Sequence, residues 1–211
     1  MCMVSLNDCG MSDICKNEEI VIADTCAFTF DRNEPHALIF SNHALKEVNY
    51  LSRLIELART TDSFYVPNTV LSEIHRGINL VDGGEDLTKA TANFRRELRE
   101  LGRVIYPKEH LDQYKELKKK LLPLKDTFGL SSVDLDVLVC SVELSATVRT
   151  GIVTDDKYII YAYLMMQNRP EISVYSRLWT NGSNTFERLD AEQMSGLRSK
   201  AYDNIHSTKE K

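Results

Sequence analysis

From residue 20 onward, short β-branched apolar runs alternate with stretches of helical periodicity, and that alternation leaves few folds open. Ile20–Asp24 reads as a buried strand, because four apolar residues run without polar interruption up to the acid. Leu45–Leu57 follows with Leu45, Val48, Leu51, Leu54 and Ile55 at helical spacing. Ser63–Val66 is a second strand, stopped by Pro67. Asn68 caps a helix to Ile78 whose apolar side is Val70, Leu71, Ile74 and Ile78. Helices are expected over Glu85–Arg103 and Glu109–Leu122, with a brief strand at Val104–Tyr106 between them. A further helix starts at Ser131–Asp134 and runs to about Thr147. Gly151–Thr154 and Ile172–Tyr175 read as strands around a helix over Asp156–Met166. Parallel strands need long crossovers, so the alternation predicts a parallel-sheet α/β/α sandwich, a Rossmann-like three-layer arrangement.

A length of 211 residues suits one domain with a sizeable core. Residues 1–18 read as a loose, flexible leader, 19–178 as the domain with a helical insertion over about 85–126, and 179–211 as a tail with a helix over Ala191–Ile205. Hydrophobic content of 43% with 27% charged residues is that of a globular chain. No run approaches the roughly 18 apolar residues of a membrane span, and no secretory signal precedes the first strand, so a cytoplasmic protein without a membrane partner is expected. Cys2, Cys9, Cys15, Cys26 and Cys140 are odd in number and irregular in spacing, with no CxxC pair, which argues against a disulfide framework or a zinc site. Cys26 and Cys140 sit in apolar contexts, as small buried hydrophobes do.

Carboxylates mark the places where this fold would build a site. Asp24 ends the first strand. Glu73 lies in the helix after Asn68, Asp134 opens the helix after Ser131, and Asp136 stands two residues on. Asp155 and Asp156 follow Ile152-Val153-Thr154. Ligands bind beyond the carboxyl ends of strands in open α/β sheets, where Asp24 and Asp155 would stand. Converging carboxylates repel unless their pKa values rise or cations fill the gap, and oxygen ligands favour Mg²⁺ or Mn²⁺. The other reading is that these acids are ordinary caps and solvated ends, favourable at helix N-termini.

The order of these segments resembles that of the PIN domain nucleases. The likeness rests on Ile20–Thr25, on Val66–Ile74 with its P-x-x-V-x-x-E pattern, on Leu130–Leu138, and on Gly151–Asp156. It implies a PIN-like fold and a metal-dependent endoribonuclease, hydrolysing phosphodiester bonds of single-stranded or exposed RNA through an acidic two-metal site. By motif position Asp24, Glu73, Asp134 and Asp155 would be the catalytic, Mg²⁺- or Mn²⁺-binding quartet, with Asp136 and Asp156 as neighbouring ligands. Thr25 and Thr154 would hydrogen-bond a carboxylate or phosphate, and Arg76 would touch the substrate. The alternative is a catalytically inactive PIN-like module that binds RNA or protein.

The chain is longer than small toxin nucleases of this pattern. The added stretch, residues 85–126, carries 11 basic and 8 acidic residues against an overall charge of −5. Lys118, Lys119 and Lys120 could rim the site and meet RNA phosphates, or simply form a solvated helix face. Tyr106 and Tyr114 nearby suit base stacking or packing. His75 reads as incidental. A haloacid-dehalogenase-type phosphatase is disfavoured, because Cys26 stands where its second acid belongs. RNA is the expected partner, with a homodimer, an antitoxin or an RNA-processing factor as further candidates.

Overall fold

The computed structural model of the chain describes residues 3–5, 11–28, 44–78, 85–108, 110–154, 156–169, 172 and 176–180. In chain order the elements are β1 (Met3–Ser5), α1 (Met11–Asn17), β2 (Ile20–Ala23), a 3₁₀ turn (Thr25–Phe28), α2 (Ala44–Thr60), β3 (Phe64–Pro67) and α3 (Asn68–Ile78). Then come α4 (Glu85–Glu100), β4 (Val104–Ile105), α5 (Asp112–Phe128), α6 (Ser132–Ser145), β5 (Thr150–Val153), α7 (Lys157–Gln167) and β6 (Arg177–Thr180).

The strands form one sheet in the order β1-β6-β5-β2-β3-β4, and every neighbouring pair is parallel. From β2 the chain steps outward to β3 and β4, then returns to the other side of β2 for β5 and β6. The order therefore reverses between β2 and β5, the position where open α/β sheets hold their ligands. Ala23 pairs with Val153 across that seam, and the Asp24 amide donates to the Val153 carbonyl at 3.1 Å. The last residues of β2 and β5 thus lie side by side, and whatever follows them enters one crevice.

Both faces of the central strands are covered, which explains their unbroken apolar runs. Val21, Ile22, Ala23, Ile152 and Val153 are fully buried. On the helices, α2 packs on α4 and α3 on α4, while α5 packs on α6 and α7. α6 is buried nearly all round, from Leu135 to Val142, and also meets α3, β3 and β5. Its inward hydroxyls are satisfied within the helix: Ser141 donates to the Leu138 carbonyl at 2.8 Å and Ser145 to that of Val142 at 3.0 Å. The result is a parallel α/β three-layer fold.

Four boundaries differ from the sequence expectation. Residues 1–18 are not a loose leader throughout: β1 pairs with β6, and α1 buries Ile14 and Cys15. A three-residue strand is too short for periodicity to reveal. The stretch over 85–126 is built into the layers rather than set apart, since β4 adds to the sheet beside β3 and α4 packs on α2 and α3. α5 continues through Pro123 to Phe128, although proline in a helix interior costs about 3 kcal/mol. Buried Leu121, Leu124 and Phe128 supply packing that outweighs this, at roughly 2 kcal/mol per large apolar side chain. The helix then stops at Gly129, whose φ of 68° is the left-handed conformation glycine adopts at a C-terminus. The last strand is Arg177–Thr180; Ile172 lies in a bend and residues 173–175 fall outside the described residues. The helix expected over Ala191–Ile205 also falls outside them.

Candidate functional site

Asp24 follows β2 directly and is only 1% exposed. Its Oδ2 accepts a hydrogen bond of 2.8 Å from the Thr154 hydroxyl, which lies fully buried at the end of β5. The same hydroxyl accepts from the Asp156 amide at 3.0 Å. Thr154 therefore has one donor and one acceptor role fixed, and it aims its proton at Asp24. The other Asp24 oxygen, Oδ1, is buried with no hydrogen-bond partner among the described residues. An unsatisfied buried carboxylate oxygen is costly, and a cation beside it would remove that cost.

Asp134 reaches the same crevice from the first turn of α6. Ser131 and Asp134 form a reciprocal cap: the Ser131 hydroxyl accepts from the amides of Val133 and Asp134, each at 3.1 Å, and Asp134 Oδ2 accepts from the Ser131 amide at 2.6 Å. Asp156 caps α7 in turn, accepting from the Tyr158 amide at 2.6 Å and the Ile159 amide at 3.4 Å. Caps and convergence are thus not alternatives here. The helix starts stand at the crevice, so acids that cap them are also near one another.

Their mutual field is felt. Burial pushes the Asp24 carboxyl up to about 7, and the negative charges of Asp134 and Asp156 add to the rise. The Thr154 hydroxyl and the Thr25 amide pull the other way. Burial also raises Asp134, against the opposing hydrogen bonds from Ser131, with Asp156 adding to the rise and the Lys125 ammonium offsetting it. Lys125 itself donates to the Ser132 hydroxyl at 2.9 Å, so a cation stands at this helix start.

Glu73 lies on α3, half-buried, and its Oε2 accepts from the Thr25 hydroxyl. α3 packs against the Thr25–Phe28 turn, which brings Glu73 to the residue next to Asp24. Asp155 lies outside the described residues. Arg76 belongs to α3, but its side chain is likewise outside them.

Asp136 faces elsewhere. Two residues along a helix turn the side chain by about 200°, so Asp134 and Asp136 cannot share a face. Asp136 is buried against α5, where its Oδ1 accepts from the Lys118 ammonium at 2.7 Å and the Tyr114 hydroxyl at 3.1 Å. Tyr114 and Lys118 are one helical turn apart, and the Lys118 ammonium stands 5.8 Å from the Tyr114 ring centre. This buried triad ties α5 to α6. Lys118 is thereby drawn inward, while Lys119 and Lys120 remain exposed. In the sequence, the i,i+4 spacing of Tyr114 and Lys118 is the one trace of this triad.

Among the described residues, no three His, Cys, Asp or Glu side chains stand close enough to hold one ion together. The donor set that does gather is made of oxygens only, with one carboxylate oxygen buried and unpartnered. That set suits a hard divalent cation better than zinc. Cys15 and Cys140 are buried thiols pushed up to about 12 by burial, and neither offers a thiolate. Among the described residues no helix is long and apolar enough to cross a membrane. Comparison with protein-family models, curated proteins and solved structures gives no match for this chain.

Proposed function

We propose that the chain is a metal-dependent endoribonuclease of the PIN kind. The observation that carries this reading is the buried Asp24 carboxylate at the β2–β5 reversal, with one oxygen unpartnered and Asp134 close enough to raise its pKa. Asp24 and Asp134 would hold Mg²⁺ or Mn²⁺, with Glu73, Asp155 and Asp156 completing the acidic set. A divalent ion bound there supplies Lewis-acid stabilisation of a phosphoryl oxygen and makes a water more acidic.

The chain's own residues supply the orientation. Thr154 fixes the Asp24 carboxylate by donating to Oδ2, while Oδ1 has no hydrogen-bond partner among the described residues and would be the oxygen that meets the ion. The reciprocal cap with Ser131 holds Asp134 in place at the start of α6. Thr25 holds Glu73 from the residue beside Asp24, and in this reading the carboxylate would orient an attacking water. Preset side chains of this kind reduce the ordering that must occur in the transition state.

A labelled single-stranded RNA incubated with Mn²⁺ tests the reading. Wild type should cleave it, and Asp24→Asn should lose cleavage by 10²-fold or more, the range for removing one transition-state stabiliser. Equal cleavage by the two proteins defeats the assignment. The second reading is a module that binds without cleaving; on its side is the absence, among the described residues, of three ligand-type side chains within one ion's reach. RNA bound but left intact by wild type in Mn²⁺ would decide for it.

A further inference from the structure

On the far side of α3 from Glu73, a groove of about 240 Å³ opens between α3 and α4, lined by His75, Ala92, Arg95, Arg96, Arg99 and Glu100. We propose that this groove binds the phosphodiester backbone of single-stranded RNA a few nucleotides away from the carboxylate crevice. The inference rests on the nuclease reading for its substrate, while its own observations are independent of the acids.

The charges of α4 are sorted by their partners. Glu97 is drawn to α2 by Arg59, whose guanidinium donates to it at 2.7 Å. Arg96 is held at the groove rim by Glu100 at 3.8 Å, by Glu97 at 3.9 Å and by the Asn93 side chain. Arg95 and Arg99 are one turn apart on the same stripe, and among the described residues neither has a carboxylate at ion-pair distance. Arg95 Nε is also buried without a hydrogen-bond partner. Two neighbouring guanidinium groups repel each other unless an anion lies between them. The groove wall is largely apolar, made by the stems of these side chains, so the planar forks of N–H donors that match phosphate oxygens belong at its rim, where Arg99 is exposed.

Position completes the argument. His75 follows Glu73 by two residues, so the two project about 200° apart around α3. The helix itself, roughly 10 Å across with its side chains, separates the groove from the crevice. A strand laid over α3 would pass from one to the other within a few nucleotides. Single-stranded nucleic acids are held in this manner, by cationic grooves that follow the backbone. Glu100 at the rim limits how deeply an anion sits, which favours an extended backbone over a buried terminal phosphate.

The test is fluorescence anisotropy with a short labelled single-stranded RNA in EDTA, which removes cleavage from the readout. Wild type, Arg95→Gln/Arg99→Gln and Arg95→Lys/Arg99→Lys are compared over a salt series, with circular-dichroism melts confirming equal folding. The glutamine pair should bind about tenfold or more weakly, with the slope of log affinity against log salt lowered by about 1.4, the release expected for two phosphates on a single strand. The lysine pair should keep the slope and recover part of the affinity. Unchanged affinity and slope in a folded glutamine pair overturn the groove, as does a wild type that binds no RNA. Arginine dependence confined to inorganic phosphate, with RNA unaffected, also overturns it. If wild type binds through the arginines yet leaves RNA intact in Mn²⁺, the groove stands and the nuclease reading fails. If wild type cleaves and the arginine pairs bind as wild type does, the reverse holds.

Discussion

Asp24 is buried as a carboxylate that its surroundings prefer to see protonated. Its carboxyl lies near 7 in the folded chain, against about 3.9 for an unfolded aspartate. A raised folded value stabilises the protein fully below about pH 4, and the contribution is lost as pH rises to 7. Above that the fold carries a buried charge that costs on the order of 2–4 kcal/mol. Asp24→Asn should therefore match wild type in urea melts at pH 4 and exceed it at pH 8, with added Mn²⁺ narrowing the gap by favouring ionised Asp24. A stability difference of the same size at both pH values would contradict this. At this scale the sequence was a partial guide. Asp24 and Asp134 could be placed because strand ends and helix starts face one edge. Asp136 and Lys118 could not, because their pairing depends on how α5 leans on α6, which is set by packing between distant segments.

Among the elements, α6 carries the most. Its first turn does two things with one side chain: Asp134 closes the cap with Ser131, and its charge helps raise the Asp24 carboxyl. Ser131→Ala should cost about 1 kcal/mol, the usual loss for an N-cap hydroxyl. It should lower Mn²⁺-dependent RNA cleavage by more than that loss explains, since Asp134 is then held from one side only. Thermal melts and cleavage rates measured on Ser131→Ala and Ser131→Thr together check this, with the threonine variant close to wild type in both. A cleavage rate that tracks stability alone would leave the cap a purely structural device. The start of α6 was legible from Ser131 and the acid three residues on. The end of α5 was not, because Pro123 signals a stop that buried Leu124 and Phe128 override.

Across the whole molecule, the parallel sheet followed from the alternation of short apolar runs with helical stretches. The strand order did not, since no residue pattern tells β5 to settle against β2 rather than β4. β1 and β6 escaped the sequence for a related reason: short strands at one side of a sheet owe their pairing to neighbours more than to their own residues. β5 lies between β2 and β6, so a chain ending at Val148 should lose cooperative unfolding altogether, with no transition in a urea melt followed by circular dichroism. A sharp transition in that fragment would mean that β2, β3 and β4 fold as a unit without it.

The Thr154–Asp24 hydrogen bond joins residues 130 positions apart. Contacts that close so long a loop form late, and parallel pairing of this kind is slow. During translation, Asp24 would leave the ribosome well before the strand that orients it has been made. A nascent chain therefore holds Asp24 without its hydrogen-bond donor until Thr154 has emerged and the β2–β5 seam has closed.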